Sequence, residues 1–218
     1  ITPEFKFDPL DTVGLKKLFP QFQQIRPAIP FYKFFDASAR FTFNNGQFGL
    51  YKDKHQDYWA VNFNEFKRVK DGLTYNLGSH INCFHEGDDS SFWIGTEGSG
   101  LVQLNYKTGL LKKYLPDETN HHSISSQYVE GIVPNEKQGL WLATRFGLNH
   151  FDFHSGQFKL FSEEDGLCNN TIYTIEKDKE GKLWLGTSHG LSCYDPRSSD
   201  FTNYSKNNGL VNSEYNRN

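Results

Sequence analysis

Residues able to do chemistry are scattered thinly along this chain of 218 residues, and their spacing excludes most reactions. Of the eight histidines, His121 and His122 are adjacent, which is not the spacing of a metal site. His150 and His154 stand four apart, a useful separation on a helix, but the Phe-rich run around them reads as strand. No His-Glu-x-x-His or Gly-x-Ser-x-Gly pattern occurs, and Gly98-Ser99-Gly100 lacks the Lys-Ser/Thr of a phosphate loop. Glu163-Glu164-Asp165 lacks the alternating spacing of a Ca²⁺ loop and reads as a solvated acidic turn. Cys83, Cys168 and Cys193 have no Cys-x-x-Cys spacing and, being three, cannot all pair, so they read as reduced thiols. We therefore expect no catalytic residue, no metal and no cofactor.

The elements that must carry any site emerge from a repeat. Trp59, Trp93, Trp141 and Trp184 are separated by 34, 48 and 43 residues. Aligned on Trp, three units share Trp-Ile/Leu-Gly/Ala-Thr, then Gly-Leu at Gly100-Leu101, Gly147-Leu148 and Gly190-Leu191. An aromatic-Asp pair follows at Phe151-Asp152 and Tyr194-Asp195, and a further aromatic at Phe158 and Phe201. A period of about 43 residues is that of a four-stranded propeller blade. The last unit divides into four short aromatic or β-branched runs, at 172–178, 182–188, 190–196 and 200–205. Asp178 through Gly181 fits a hairpin turn, with Asp capping its own backbone and Gly at positive φ. Helical repeats of similar period need amphipathic stretches of ten or more residues, which are absent, and no Gly-His…Trp-Asp pair marks a WD40 blade. The fold expected is all-β, a propeller of four-stranded blades.

The pattern resembles the two-component regulator propeller repeat. Ile172-Tyr173-Thr174-Ile175, Asp178, Gly181, Leu183-Trp184-Leu185-Gly186-Thr187 and Gly190-Leu191 carry the likeness, as do Phe92-Trp93-Ile94-Gly95-Thr96 and Gly100-Leu101. The middle unit departs from it, with Ala143 for the Gly and Pro134 inside its first run. The resemblance implies a periplasmic sensor region of a bacterial hybrid two-component receptor, dimeric in the parent protein, with oligosaccharides as the ligand class. Residues 80–128, 129–171 and 172–218 read as repeats, the last including the start of a further blade at Glu214-Tyr215-Asn216. Residues 47–79 read as a degenerate repeat, while 1–46 are unassigned: a worn blade, a connector, or part of a preceding domain. Starting at Ile1 without Met and stopping at a new first strand, the chain reads as part of a larger ring of about seven blades.

Propeller geometry then locates the candidate site. The loops between second and third runs share one face with the connections between units, and their side chains converge on the mouth of the central channel. Glu97, Arg145, Phe146 and His189 come from the first set of loops, and Asn169 and Asn170 from the second. Such a mixture of carboxylate, guanidinium, amide, imidazole and aromatic groups suits a saccharide or another small polar ligand. Phe146 would stack on a sugar face while Arg145 and the Asn side chains take hydroxyls.

A balance of 23 Lys and Arg against 26 Asp and Glu argues against a nucleic-acid partner or contact with a membrane surface, since either requires a basic stripe. No run of 18 apolar residues occurs that could span a bilayer. Two other functions compete with sensing. One is a protein-interaction or dimerisation propeller without a small ligand. The other is an enzyme resembling the streptogramin lyases, for which His189 is the only candidate base.

Overall fold

The computed structural model describes residues 49–87, 90–136 and 138–205. The unassigned start at 1–46 and the closing run 208–216 lie outside them. The described chain forms four antiparallel four-stranded sheets in succession, each strand pairing with the next in sequence. The first holds β1 (Gly49–Lys52), β2 (Tyr58–Val61), β3 (Glu65–Arg68) and β4 (Thr74–Asn76). The second holds β5 (Ile81–Glu86), β6 (Ser91–Thr96), β7 (Leu101–Asn105) and β8 (Leu111–Tyr114). In the third are β9 (Val129–Asn135), β10 (Gly139–Thr144), β11 (Gly147–Asp152) and β12 (Phe158–Phe161). The fourth comprises β13 (Ile172–Lys177), β14 (Leu183–Thr187), β15 (Gly190–Asp195) and β16 (Asp200–Tyr204). A 3-10 turn at Glu163–Asp165, capped by Ser162, is the one helical element among the described residues. These sheets are propeller blades, and the first strands β5, β9 and β13 lie against one another. Pro134 is tolerated in β9 because that strand is the edge of its own sheet.

The core lies between blades. One cluster joins Trp59 and Phe66 of the first blade to Phe84, Phe92 and Tyr106 of the second. Another joins Cys83, Trp93 and Leu101 to Val129, Leu142, Phe151 and Phe158. The last joins Val133, Trp141 and Phe161 to Ile172, Ile175, Leu185 and Tyr194. The first three tryptophans reach forward to the aromatics of the following blade. Trp59 meets Phe92 edge-on at 5.0 Å between ring centroids, Trp93 stacks on Phe153 at 5.4 Å, and Trp141 meets Tyr194 at 5.4 Å. Trp184 is half-buried and stacks on Tyr204 of its own blade.

Two further devices shape each blade. The recurrent Thr folds back over the tight turn between second and third strands: Thr96, Thr144 and Thr187 donate to the carbonyls of Gly100, Gly147 and Gly190 at 2.8–2.9 Å. Those glycines have φ of +69°, +90° and +128°, and a Cβ there would fall 2.1–2.6 Å from the carbonyl oxygen of Tyr114, Phe161 or Tyr204 on the outermost strand. The Gly-Leu repeat is thus a steric requirement. At the opposite end, Asp53 and Asp178 each stand six residues before a Trp. One carboxylate oxygen of each takes two turn N–H groups, and the other takes the indole N–H at 2.9 Å.

The Asp–Trp bonds make a testable pair. Trp59 is fully buried, so Asp53→Ala leaves its N–H with no partner and no water, a cost of about 1–3 kcal/mol. Asp178→Ala should cost less, because water reaches the half-buried Trp184. Urea unfolding of both variants checks the order, and a larger loss from Asp178→Ala would refute it. The indole bond from Trp184 holds the Asp178 carboxyl below the usual carboxylate range; desolvation opposes it, and backbone N–H groups of Lys182 and Glu180 add to it. A carboxyl depressed on folding stabilises the fold above its unfolded pKa of about 3.9, and that stability is lost as pH falls through the folded value. Stability of the unmodified chain should therefore fall more steeply below about pH 4 than that of Asp178→Ala. Equal acid slopes would contradict the assignment.

Candidate functional site

The end of the inner strands where the sequence places the mouth is built by residues at fixed offsets from the tryptophans. The residue four after Trp donates its backbone N–H to the carbonyl of the residue just before the first strand of its own blade. These bonds are Glu97 to His80 at 2.8 Å, Arg145 to Tyr128 at 3.2 Å and Ser188 to Thr171 at 3.1 Å. The second, third and fourth blades thus each bring two residues together at this end of their inner strands: Glu97 with His80, Arg145 with Tyr128, Ser188 with Thr171. An isolated bridge pairs Glu97 with Tyr128, closing the seam between second and third blades.

Glu97 and Arg145, expected at the mouth from the sequence, meet across that seam. Arg145 Nη2 donates to Glu97 Oε1 at 3.1 Å, and Arg145 Nε donates to Glu130 Oε1 at 2.8 Å. The guanidinium lies over the Tyr128 ring, 4.6 Å from its centroid. His80 Nδ1 is 3.6 Å from Glu97 Oε2. Burial works against the Arg145 charge, but the bonds and charges of Glu130 and Glu97 outweigh it and raise the pKa, so Arg145 stays cationic. The Glu130 side chain is 2% exposed, against 35% for Arg145 and 31% for Glu97. Glu130 is therefore held by a partner that itself faces the mouth.

Phe146 stands next to Arg145 with 55% of its surface exposed, its carbonyl tied by the Ser125 hydroxyl at 2.6 Å. Phe63, in the corresponding loop of the first blade, is also exposed, and its ring packs 5.2 Å from that of His80. On the fourth blade, Ser188 Oγ donates to Asn169 Oδ1 at 2.5 Å and lies 3.2 Å from His189 Nδ1. Asn169 and Asn170 are engaged in shaping their own loop. Asn169 Nδ2 and the Asn170 N–H both donate to Glu163 Oε1, and Asn170 Oδ1 takes the Glu163 N–H. The carbonyl of Asn170 also accepts from Gly147 N at 2.7 Å, tying the fourth blade to the third. Their amides are loop ties first, so the groups most open to a ligand are Arg145, Phe146 and His189.

Sequence reasoning missed Phe63, His80, Tyr128 and Glu130. His80 and Tyr128 lie 13 residues before a Trp, so extending the repeat alignment upstream of the first strand would have found them, whereas Glu130 sits inside β9 with nothing in its neighbours to mark it. His121 and His122 lie elsewhere, in an open cleft of about 510 Å³ beside β11 and β12, where His122 O accepts from Phe158 N. No group of three His, Cys, Asp or Glu among the described residues is placed to hold a metal.

Removing the Arg145 charge takes from the buried Glu130 carboxylate the guanidinium bonded to it at 2.8 Å. Arg145→Met should cost roughly 1–3 kcal/mol, the range for a hydrogen bond lost to a buried polar group. Arg145→Met/Glu130→Leu should recover most of that loss, because no charge then remains buried. Urea denaturation of the single and double variants measures the recovery; additive losses would show that Glu130 does not depend on Arg145.

Residues 166–189, running from the end of the third blade into the fourth, match the family of the two component regulator propeller. A segment of 73 residues, 34% of this chain, is 39% identical to Histidine kinase P4 of Formosa agariphila and covers 5% of that protein. Among solved structures, the extracellular domain assigned to the hybrid two component system BT3049 of B. thetaiotaomicron superposes with a TM-score of 0.64 at 19% identity. That match covers 74% of this chain and 25% of that one. The extracellular domain assigned to the one component system BT4673 of the same organism gives 0.62 at 20% identity, covering 82% of this chain and 28% of that one. The chain thus spans about a quarter of each of these domains. Among the described residues no helix is long and apolar enough to cross a membrane. The described chain folds as blades of a β-propeller, and its segment 166–189 matches the two component regulator propeller family.

Proposed function

We propose that this chain is a ligand-sensing portion of the extracytoplasmic, periplasmic part of a bacterial two-component receptor, and that its ligand is an oligosaccharide bound at the mouth. The observation that carries the reading is the meeting of Glu97 and Arg145 from adjacent blades beside the exposed ring of Phe146. A sugar offers both an apolar face for an aromatic ring and hydroxyls for charged donors and acceptors. Arg145 keeps N–H groups beyond the two bound by Glu97 and Glu130, and His189 adds an imidazole on the neighbouring blade. Likeness to extracellular domains of two-component and one-component systems, and to a histidine kinase, supports the assignment to a receptor. In the parent receptor we place this region in a homodimer, whose balance of states a ligand shifts by differential affinity.

The reading includes no catalytic step, and it leaves Glu97 and Glu130 bonded to Arg145. One observation favours a protein-docking role instead. Leu73, Leu110 and Phe153 occupy the turn between third and fourth strands in three successive blades, all exposed and on the face opposite the mouth.

Thermal shift against neutral and charged oligosaccharides separates the two. Binding raises the melting temperature of the native state, and a ligand at a hundred times its Kd adds about 2.7 kcal/mol. At least one oligosaccharide should stabilise the chain, and Phe146→Ala should weaken its binding by roughly two- to tenfold, as expected for loss of a stacking ring worth about 0.5–1.5 kcal/mol. No shift with any glycan, together with concentration-dependent self-association that Leu110→Ser abolishes, would favour docking and defeat sensing.

A further inference from the structure

The mouth has a charge sign as well as a shape. Glu97 and Glu130 bracket the guanidinium of Arg145 at 3.1 and 2.8 Å, so this triad sets two carboxylates against one guanidinium, with the His80 imidazole 3.6 Å from Glu97 Oε2 beside it. Glu163 lies in the connection between third and fourth blades, its carboxylate held by Asn169 and Asn170, and so adds a further carboxylate to the same face. Another cation on this face is Lys113, on the outermost strand of the second blade; its ammonium donates to the carbonyl of Leu77 at 3.0 Å. Arg145 therefore offers N–H donors to a ligand without offering net positive charge. A neutral hydroxyl meets those donors at no electrostatic cost. An incoming carboxylate or sulfate must approach Glu97, which is partly exposed, to reach them.

We propose that the Glu97–Arg145–Glu130 triad makes the mouth selective against anionic saccharides, with Glu97 as the residue that sets this selectivity. The proposal deepens the saccharide reading above and rests on it. Glu130 cannot play the part, because it is buried and its charge is needed to hold Arg145 in place. Glu97 can, since it faces solvent and a glutamine would keep an acceptor for Arg145 while removing the charge. The aromatic groups Tyr128 and Phe146 are indifferent to the exchange, so shape recognition is left intact.

The full chain is tested on a glycan array carrying neutral, amino-sugar, uronate-bearing and sulfated oligosaccharides at low salt. Signal is expected on neutral or amino-sugar glycans and not on their anionic counterparts of the same length. Glu97→Gln should shift the ratio toward anionic glycans by about tenfold, the size of one unit charge acting across a partly solvated site. A second arm needs no variant. Raising salt from low to about 0.5 M shortens the screening length to a few ångströms and should relieve the exclusion in the unmodified chain. Anionic glycans bound as tightly as neutral ones at low salt, with no change in Glu97→Gln or with salt, would overturn the selectivity and leave the saccharide reading standing. Silence across the whole array would defeat the saccharide reading, and the selectivity with it.

Discussion

The structure depends on one contact repeated from blade to blade: the tryptophan of a second strand packed into the aromatic residues of the next sheet. A four-stranded sheet of three- to seven-residue strands has two faces and no interior of its own. Each face becomes core only against a neighbour, which is why the three apolar clusters all straddle two blades. Aromatic side chains suit this task because each buries a large area while holding a defined angle, about 78° for Trp59 on Phe92 and 63° for Trp141 on Tyr194. All four tryptophan-bearing blades contribute aromatics to the seams among the described residues, from Tyr51, Phe66 and Phe92 in the first cluster to Phe161, Tyr194 and Phe201 in the last.

From that contact the geometry of the mouth follows. Fixing the second strand fixes the tight turn at its end, which the Thr hydroxyl and the positive-φ glycine hold in one conformation. The residue after that Thr is then pinned by its backbone N–H to the start of the first strand. Side chains at one position of the repeat are thereby carried to equivalent places around the axis, whatever their chemistry. Glu97, Arg145 and Ser188 share a scaffold and differ in function, a division of labour familiar in folds that host many activities. The departure at Ala143 shows how strict the scaffold is. Gly95 and Gly186 face Cys83 and Thr174 across their strand pair, whereas Ala143 faces Gly131, so the small residue has moved to the opposite strand and the seam keeps its width.

Much of this was legible in the sequence because it repeats. The four runs of the last unit coincide with β13 to β16 to within two residues at each end, and the capping role of Asp178 was readable from Asp-x-x-Gly alone. The second oxygen of Asp178, reaching the Trp184 indole, was not, since a turn signature says nothing about a ring six residues on. Partnership between Glu97 and Arg145 was legible only as proximity. Beside that pair Glu130 takes the Arg145 Nε, and nothing in the residues around Glu130 distinguishes it from an ordinary strand residue. Asn169 and Asn170 were read by chemistry as ligand donors. The structure spends both amides on Glu163 because a ten-residue connection crossing between blades has backbone groups that must be satisfied locally.

The unequal exposure of the two acids around Arg145 determines how a ligand at the mouth would be felt. Glu130 has lost its water and cannot release the guanidinium without a large penalty, so Arg145 is held in position before any ligand arrives. Glu97 has kept water as an alternative partner, and its bond to Arg145 crosses from one blade to the next. A ligand that competes for Arg145 therefore acts on Glu97 first, at the surface of the Trp93 seam. Binding energy spent there alters the coupling between second and third blades without unseating the buried carboxylate. A preorganised donor paired with one fixed and one exchangeable acceptor is thus an arrangement in which occupancy of the mouth and packing of the blades share a free energy, as a sensor requires.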